Sequence, residues 1–381
     1  MTVPIAAVSL MIWLYCVFYR GGYWRADVTG DKAAPPPAAW PHIAAVIPAR
    51  NEEDSIADSL TSLLVQDYPG RLSVILVDDN SEDATASIAA GLPARTGSSV
   101  PLTVLRGTPL PGGWTGKLWA LQQGITEAGR EQPDLLLLTD ADIVYQPGAL
   151  RTLAARAEAG RFVLTSLMAK LRCDSLAERA FIPAFVYFFQ MLYPFSWVND
   201  PRNTMAAAAG GCMLIRADAL ARAGGIAVIR DALIDDCSLA AVMKKQGPIW
   251  LGLTDRVRSI RTSGAVADIH TMVSRSAYAQ LRYSPVLLGL TLIGMALTYW
   301  APPLLALFGH GTARALGLAA WALMAVSFWP ILRFYGLSPL WAPALPAIAT
   351  GYMAFTFSSA LQHMLGKGGR WKGRYQAARK A

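Results

Sequence analysis

The run Leu135–Leu136–Leu137–Leu138–Thr139 ends on Asp140–Ala141–Asp142. Four consecutive leucines closed by polar residues read as a short strand buried on both faces. Strands of that kind belong to sheets flanked by helices, and open α/β sheets bind ligands at the carboxyl ends of their strands. In an extended chain residues i and i+2 point to the same side, so the run delivers two carboxylates together at that end. Two hard oxygen ligands suit Mg²⁺ or Mn²⁺ bridging to phosphate oxygens. The pattern predicts a mostly parallel α/β sheet and chemistry on a nucleotide diphosphate.

The flanking sequence repeats this alternation. Strands are expected at Ile43–Pro48, Leu72–Val77, Leu102–Leu105 and Leu135–Thr139, and helices at Asp54–Val65, Ala84–Ala90 and Lys117–Ala128. Strands alternating with helices imply βαβ units with right-handed crossovers.

Polar groups gather where those strands should end. Pro48–Ala49–Arg50–Asn51–Glu52–Glu53 closes the first strand, and Asn51 or an acid there can cap the next helix. Asp78 and Asp79 close the second and can accept hydrogen bonds from a base N–H or ribose hydroxyls. Gly112–Gly113–Trp114–Thr115–Gly116–Lys117 opens a helix, whose N-terminus favours phosphate and whose lysine adds a point charge. Gly210–Gly211 precedes another short apolar run. Asp235–Asp236 opens a later helix, and two adjacent carboxylates raise the pKa of one of them, as a general base requires. Against these stand plainer roles, as helix caps, packing turns and solvated loops.

Composition divides the chain. Of 381 residues 54% are hydrophobic and the mean hydropathy is +0.33, too apolar for an ordinary soluble domain. The net charge of +8 is unevenly spread: the last acid is Asp268, and ten basic residues follow it. Residues 1–268 are close to neutral, and the remainder is an apolar, basic-edged segment suited to anionic lipid headgroups. No nucleic-acid motif is present. Cys16, Cys173, Cys212 and Cys237 form no C-x-x-C pair, and the four histidines show no metal spacing, so neither zinc nor a disulfide framework is expected.

Val3–Tyr19 is free of charge and near the lower length limit for a membrane span. Arg20 and Arg25 follow it, which places the next domain in the cytoplasm. Three more apolar stretches lie at about 285–308, 315–332 and 338–365. Three full spans would export the basic tail, so either one stretch is re-entrant or interfacial or the N-terminal anchor does not cross. Phe181–Trp197 is expected to be an interfacial helix, or else a core helix. The expected organisation is an anchor (1–24), a Pro-rich linker (25–41), a catalytic domain (42–268), an interfacial segment (269–284), a transmembrane region (285–365) and a basic tail (366–381).

The ordered series Val46–Glu53, Val77–Ser81, Asp140–Asp142 and Asp235–Asp236 resembles the family 2 glycosyltransferases of GT-A fold. With Gly112–Ala120 and the apolar C-terminus, the chain is similar to the hopene-associated glycosyltransferases of bacterial hopanoid gene clusters. The resemblance implies an inverting transfer from a nucleotide sugar, a UDP-sugar first among the candidates, to a membrane lipid such as a hopanoid, at the inner (cytoplasmic) membrane. By the same resemblance Pro48, Ala49, Glu52, Asp78, Asp79, Lys117, Asp140, Gly211 and Arg282 bind the donor. Asp142, with Asp140, holds Mg²⁺ or Mn²⁺, and Asp236 with Asp235 supplies the base. The chain departs from the family pattern in carrying Gln122 for Asn, Asp235 for Glu, and Tyr283 for Trp after Gln280–Leu281–Arg282. A processive polysaccharide synthase and a non-catalytic scaffold of lipid biosynthesis are the alternatives.

Overall fold

The computed structural model describes residues 2–366, 370–371 and 374–375. Its chain forms two compact units, one built on a sheet (Val28–Arg172 and Val198–Thr262) and one helical (the residues to Asp27, Cys173–Trp197, and the stretch from Ser263 through the last apolar helix).

In the sheet unit eight strands stand in the order β3-β2-β1-β4-β7-β6-β8-β5. They are β1 (Ile43–Ala49), β2 (Leu72–Asp78), β3 (Leu102–Arg106), β4 (Leu135–Thr139), β5 (Ile143–Tyr145), β6 (Leu164–Lys170), β7 (Cys212–Arg216) and β8 (Ile249–Ser259). The mostly parallel expectation holds: β1, β2, β3 and β4 pair in parallel, as do β6 and β8, while β7 and β5 run antiparallel to their neighbours. Every residue of β1, β2 and β4 is buried, which is why these strands read as unbroken apolar runs rather than alternating ones. One sheet face packs Ile43, Ile47, Leu76 and Leu137 with Leu60 and Leu63 of the helix Ile56–Leu64 and Leu150 and Leu153 of the helix Ala149–Ala159. Burying each such side chain contributes about 1.5–3 kcal/mol. The helix Gly116–Ala128 also packs on the sheet, where a Cβ at Gly124 would run into Val46 and Val77. Glycine permits that close approach.

Two local differences have clear causes. The helix expected over Ala84–Ala90 runs instead over Thr85–Thr96, through Pro93, because Ala89 and Leu92 extend its buried face. The Pro-rich stretch read as a linker is partly docked: Leu253 donates its N–H to the Val28 carbonyl (2.9 Å), Gly30 donates to the Leu253 carbonyl (2.7 Å), and Asp31 accepts from the Asp255 N–H (2.8 Å).

The helical unit is held by contacts among its own segments. Trp13 donates its indole N–H to the Thr298 carbonyl (2.8 Å), and Tyr187 hydrogen-bonds both Tyr23 (2.8 Å) and Ser327 (2.7 Å). Among the described residues four helices are long and apolar enough to cross a membrane: Thr2–Tyr19, Pro285–Phe308, Gly311–Phe334 and Pro339–Met364. Pro302–Pro303 does not interrupt the second, since a π-helical turn at Ala296–Trp300 precedes it, the kind of local adjustment that re-satisfies freed backbone groups. The segment expected to be interfacial, Phe181–Trp197, falls on two helices, Leu176–Leu192 and Phe195–Asn199; the first is opened by a Ser175–Glu178 capping box, with Ile182, Ala184, Val186 and Tyr187 buried within the helical unit. It has the packed face of a core helix. The basic tail lies largely outside the described residues.

Candidate active site

The topology gathers the polar strand ends. Parallel strands put the ends of β1, β2 and β4 at one edge, with Ala49 in register with Asp78. Because β7 is antiparallel, its beginning lies there too: Cys212 pairs with Thr139, and Thr139 Oγ1 donates to the Gly211 carbonyl (2.8 Å). Pro48, Ala49, Asp78, Asp79, Asp140, Asp142 and Gly211 therefore share one edge. Asp78 and Asp79 are buried. Asp78 accepts the Ser81 N–H (3.1 Å), and the Asp79 N–H donates to the Ala49 carbonyl (2.8 Å). Asn51 does not cap the following helix: at φ +50° it ties the β1 turn to the β2 turn, donating its N–H to Ser81 Oγ (3.0 Å) and accepting the Glu82 N–H (2.9 Å).

Two acid clusters occupy the tip of β4, each with a cation. In the first, Lys117 Nζ lies 2.8 Å from Asp140 Oδ1 and 3.0 Å from Asp235 Oδ2. Thr115 caps its helix, with Oγ1 accepting the Leu118 N–H (3.4 Å). Burial alone would lower the lysine's pKa, but the two carboxylates outweigh it and hold the ammonium charged. The lysine expected to meet phosphate thus joins the β4 tip to the helix Asp235–Lys244. Next to it, Asp236 accepts the Gly210 N–H at Oδ2 (3.0 Å) and the Cys237 N–H at Oδ1 (2.7 Å). Burial, reinforced by the Asp235 charge, pushes the Asp236 carboxyl up to about 6, with Lys117 and the two N–H donors opposing the rise.

In the second cluster, Asp142 Oδ2 accepts from Ser259 Oγ (2.7 Å) and Arg261 Nε (3.2 Å), and Arg261 Nη2 reaches Glu52 Oε1 (3.0 Å). The Arg261 guanidinium bridges the β1 turn and the β4 tip. Burial opposes its charge, but Asp142 and Glu52 raise its pKa nonetheless.

The family model described as glycosyltransferase like family 2 matches residues 41–257, more than half of the chain. The chain belongs to this family. An N-acetylglucosaminyltransferase of Mesorhizobium japonicum is 30% identical over 164 residues, 41% of this family 2 chain and 35% of the relative. A 4,4'-diaponeurosporenoate glycosyltransferase of Staphylococcus aureus is 35% identical over 100 residues, 26% of this chain and 24% of the relative. The matched segments thus span about a third and about a quarter of those relatives' lengths. In fold, the family member resembles the mannosyltransferase PcManGT of Pyrobaculum calidifontis, solved with GDP-Man and Mn²⁺, at TM-score 0.58 and 19% identity over 96% of this chain and 100% of that one. That likeness makes the fold GT-A-like.

Among the described residues no group of three or more His, Cys, Asp and Glu side chains forms a metal centre. The donor set of this family 2 chain still fits a hard divalent cation, because Mg²⁺ characteristically takes one or two carboxylates and completes its shell with substrate phosphates and water. Asp140 and Asp142 would be that pair. Gly211 has a packing role, since a Cβ there would come within 3.0 Å of Ile143 Cδ1. Arg282 belongs to the helical unit, at φ +52° in the turn after the helix Ala277–Gln280, and takes no part in the contacts above. Sequence reasoning missed Arg261 and Ser259. The available signal was a hydroxyl and a cation closing a strand directed at an acid-rich edge.

Proposed function

We propose that this chain is an inverting glycosyltransferase that carries a sugar from a nucleotide-diphosphate donor to a hydroxyl of a membrane lipid. The observation that carries this reading is Asp236: a carboxyl with its proton affinity raised toward neutrality, held by two backbone N–H groups, in the same cluster as the β4-tip acid Asp140. A base poised near the working pH is effective in proton abstraction.

Asp78, Asp79, Ala49 and Glu52 face the nucleoside in this reading. Asp140 and Asp142 would hold Mg²⁺ or Mn²⁺, which when bound supplies Lewis-acid neutralisation of the leaving diphosphate. Asp236 accepts the proton of the acceptor hydroxyl. The freed oxygen bonds the anomeric carbon while the bond to the diphosphate breaks and its electron pair leaves with the nucleotide. One displacement inverts the anomeric centre. Lys117 keeps Asp140 and Asp235 in place through the cycle.

The GDP-Man bound to PcManGT and the 4,4'-diaponeurosporenoate in the name of the Staphylococcus enzyme support a nucleotide sugar and a lipid acceptor. The four apolar helices support a membrane setting, and Arg20 and Arg25 after the first favour a cytoplasmic catalytic domain by the positive-inside rule. A UDP-sugar and a hopanoid polyol are the donor and acceptor that the sequence resemblance implies. Detergent-solubilised full chain, incubated with Mn²⁺, a panel of nucleotide sugars and a bacterial lipid extract, should yield a glycolipid by mass spectrometry. Asp236→Asn should lower that transfer by about 10²–10⁴-fold while nucleotide binding persists. No product and no donor hydrolysis with any nucleotide sugar would defeat the reading.

A further inference from the structure

We infer that Arg261 is an exchangeable counter-ion of the donor site: it holds Asp142 and Glu52 before the donor arrives, and moves from Asp142 to the donor diphosphate when the donor and its divalent cation bind. The inference rests on the proposed donor site at the β4 tip.

The side chains of Asp142 and Glu52 are 9% and 11% exposed, whereas that of Arg261 is 51% exposed. The two acids are fixed parts of the edge, and the guanidinium lies over them on the solvent side. Asp142 keeps a partner when Arg261 departs, because Ser259 Oγ donates to the same Oδ2 at 2.7 Å. Glu52 likewise retains the Ser55 hydroxyl at Oε2 (3.2 Å). A guanidinium and a divalent cation cannot both sit on Asp142 Oδ2 without like-charge repulsion. Diphosphate removes the conflict, since its oxygens offer the planar guanidinium a bidentate partner. Arg261 therefore opposes metal alone and favours metal together with nucleotide. That is a positive coupling between two ligands through their differential contacts with one side chain.

The test is calorimetric titration of the full chain in detergent with Mn²⁺, with UDP or GDP, and with both. In wild type, nucleotide should tighten Mn²⁺ binding by a factor within the usual range of about 5–150. Arg261→Gln should tighten Mn²⁺ binding without nucleotide, weaken nucleotide binding, and shrink the coupling factor toward one. Arg261→Lys should restore part of it. If nucleotide and Mn²⁺ bind wild type and Arg261→Gln leaves both affinities and their coupling unchanged, the inference is overturned while the donor site stands. If neither UDP nor GDP binds wild type in any combination, the donor-site reading falls and the inference with it. Loss of thermal stability in Arg261→Gln with unchanged coupling would mark a purely structural ion pair and also overturn it.

Discussion

The two cations at the β4 tip sit in opposite settings. Lys117 is 16% exposed and lies between Asp140 and Asp235, on two separate elements. Arg261 is 51% exposed and covers Asp142 and Glu52 from outside. Asp140 and Asp142 flank Ala141 in the turn between β4 and β5, so one turn serves two different ends. One acid is tied inward to the frame that carries Asp236, and the other is left where a ligand can compete for it. A buried ion pair is costly to break because it strands a desolvated charge, whereas an exposed one contributes little. The proposed function calls for both kinds, a base held still and a donor site that opens and refills.

The largest effect should come from the inward cation. Lys117→Met removes the cation shared by Asp140 and Asp235, and should cost about 3 kcal/mol, the low end for a broken buried pair because Asp140 remains about a third exposed. Thermal unfolding followed by circular dichroism in detergent should show the loss. An unfolding midpoint equal to that of wild type would mean that the lysine is not a strut.

How much of this was legible varied with range along the chain. β4 appears at the residues its leucine run indicated, and β1 and β2 each extend one residue further. Strands buried on both faces announce themselves locally. Strand polarity does not: nothing in Cys212–Arg216 says that it inserts antiparallel between β4 and β6, yet that insertion brings Gly210 to Asp236. Lys117 was legible as a charge at a helix start, but its partner Asp235 is fixed only by tertiary packing. Arg261 lacked any local pattern, since its role arises from the ends of β1, β4 and β8 converging. The turn Val28–Asp31 looked like a spacer because proline follows it, and its pairing with β8 is long-range.

The pH dependence of transfer sharpens the contrast. Asp236 must be ionised to accept a proton, and its pKa is raised to about 6. The rate should therefore be full above that value and fall as pH drops through it. Lys117 opposes the rise, so residual transfer by Lys117→Met should have its acid limb displaced upward. Arg261→Gln should leave the limb where it is. A common displacement in both variants would mean that the two clusters form one electrostatic unit.

The smallest effect should be the stability of the ligand-free Arg261→Gln chain. The lost partner is half exposed, and Asp142 and Glu52 keep the Ser259 and Ser55 hydroxyls. The loss should stay below about 1 kcal/mol, in the range of exposed ion pairs, and should shrink further in high salt, which screens charges facing solvent. Chemical denaturation of the two variants side by side makes the measurement. Were Arg261→Gln to lose as much as Lys117→Met, irrespective of salt, Arg261 would be as fixed as the lysine, and the division of the β4 tip into a held acid and a contested one would fail.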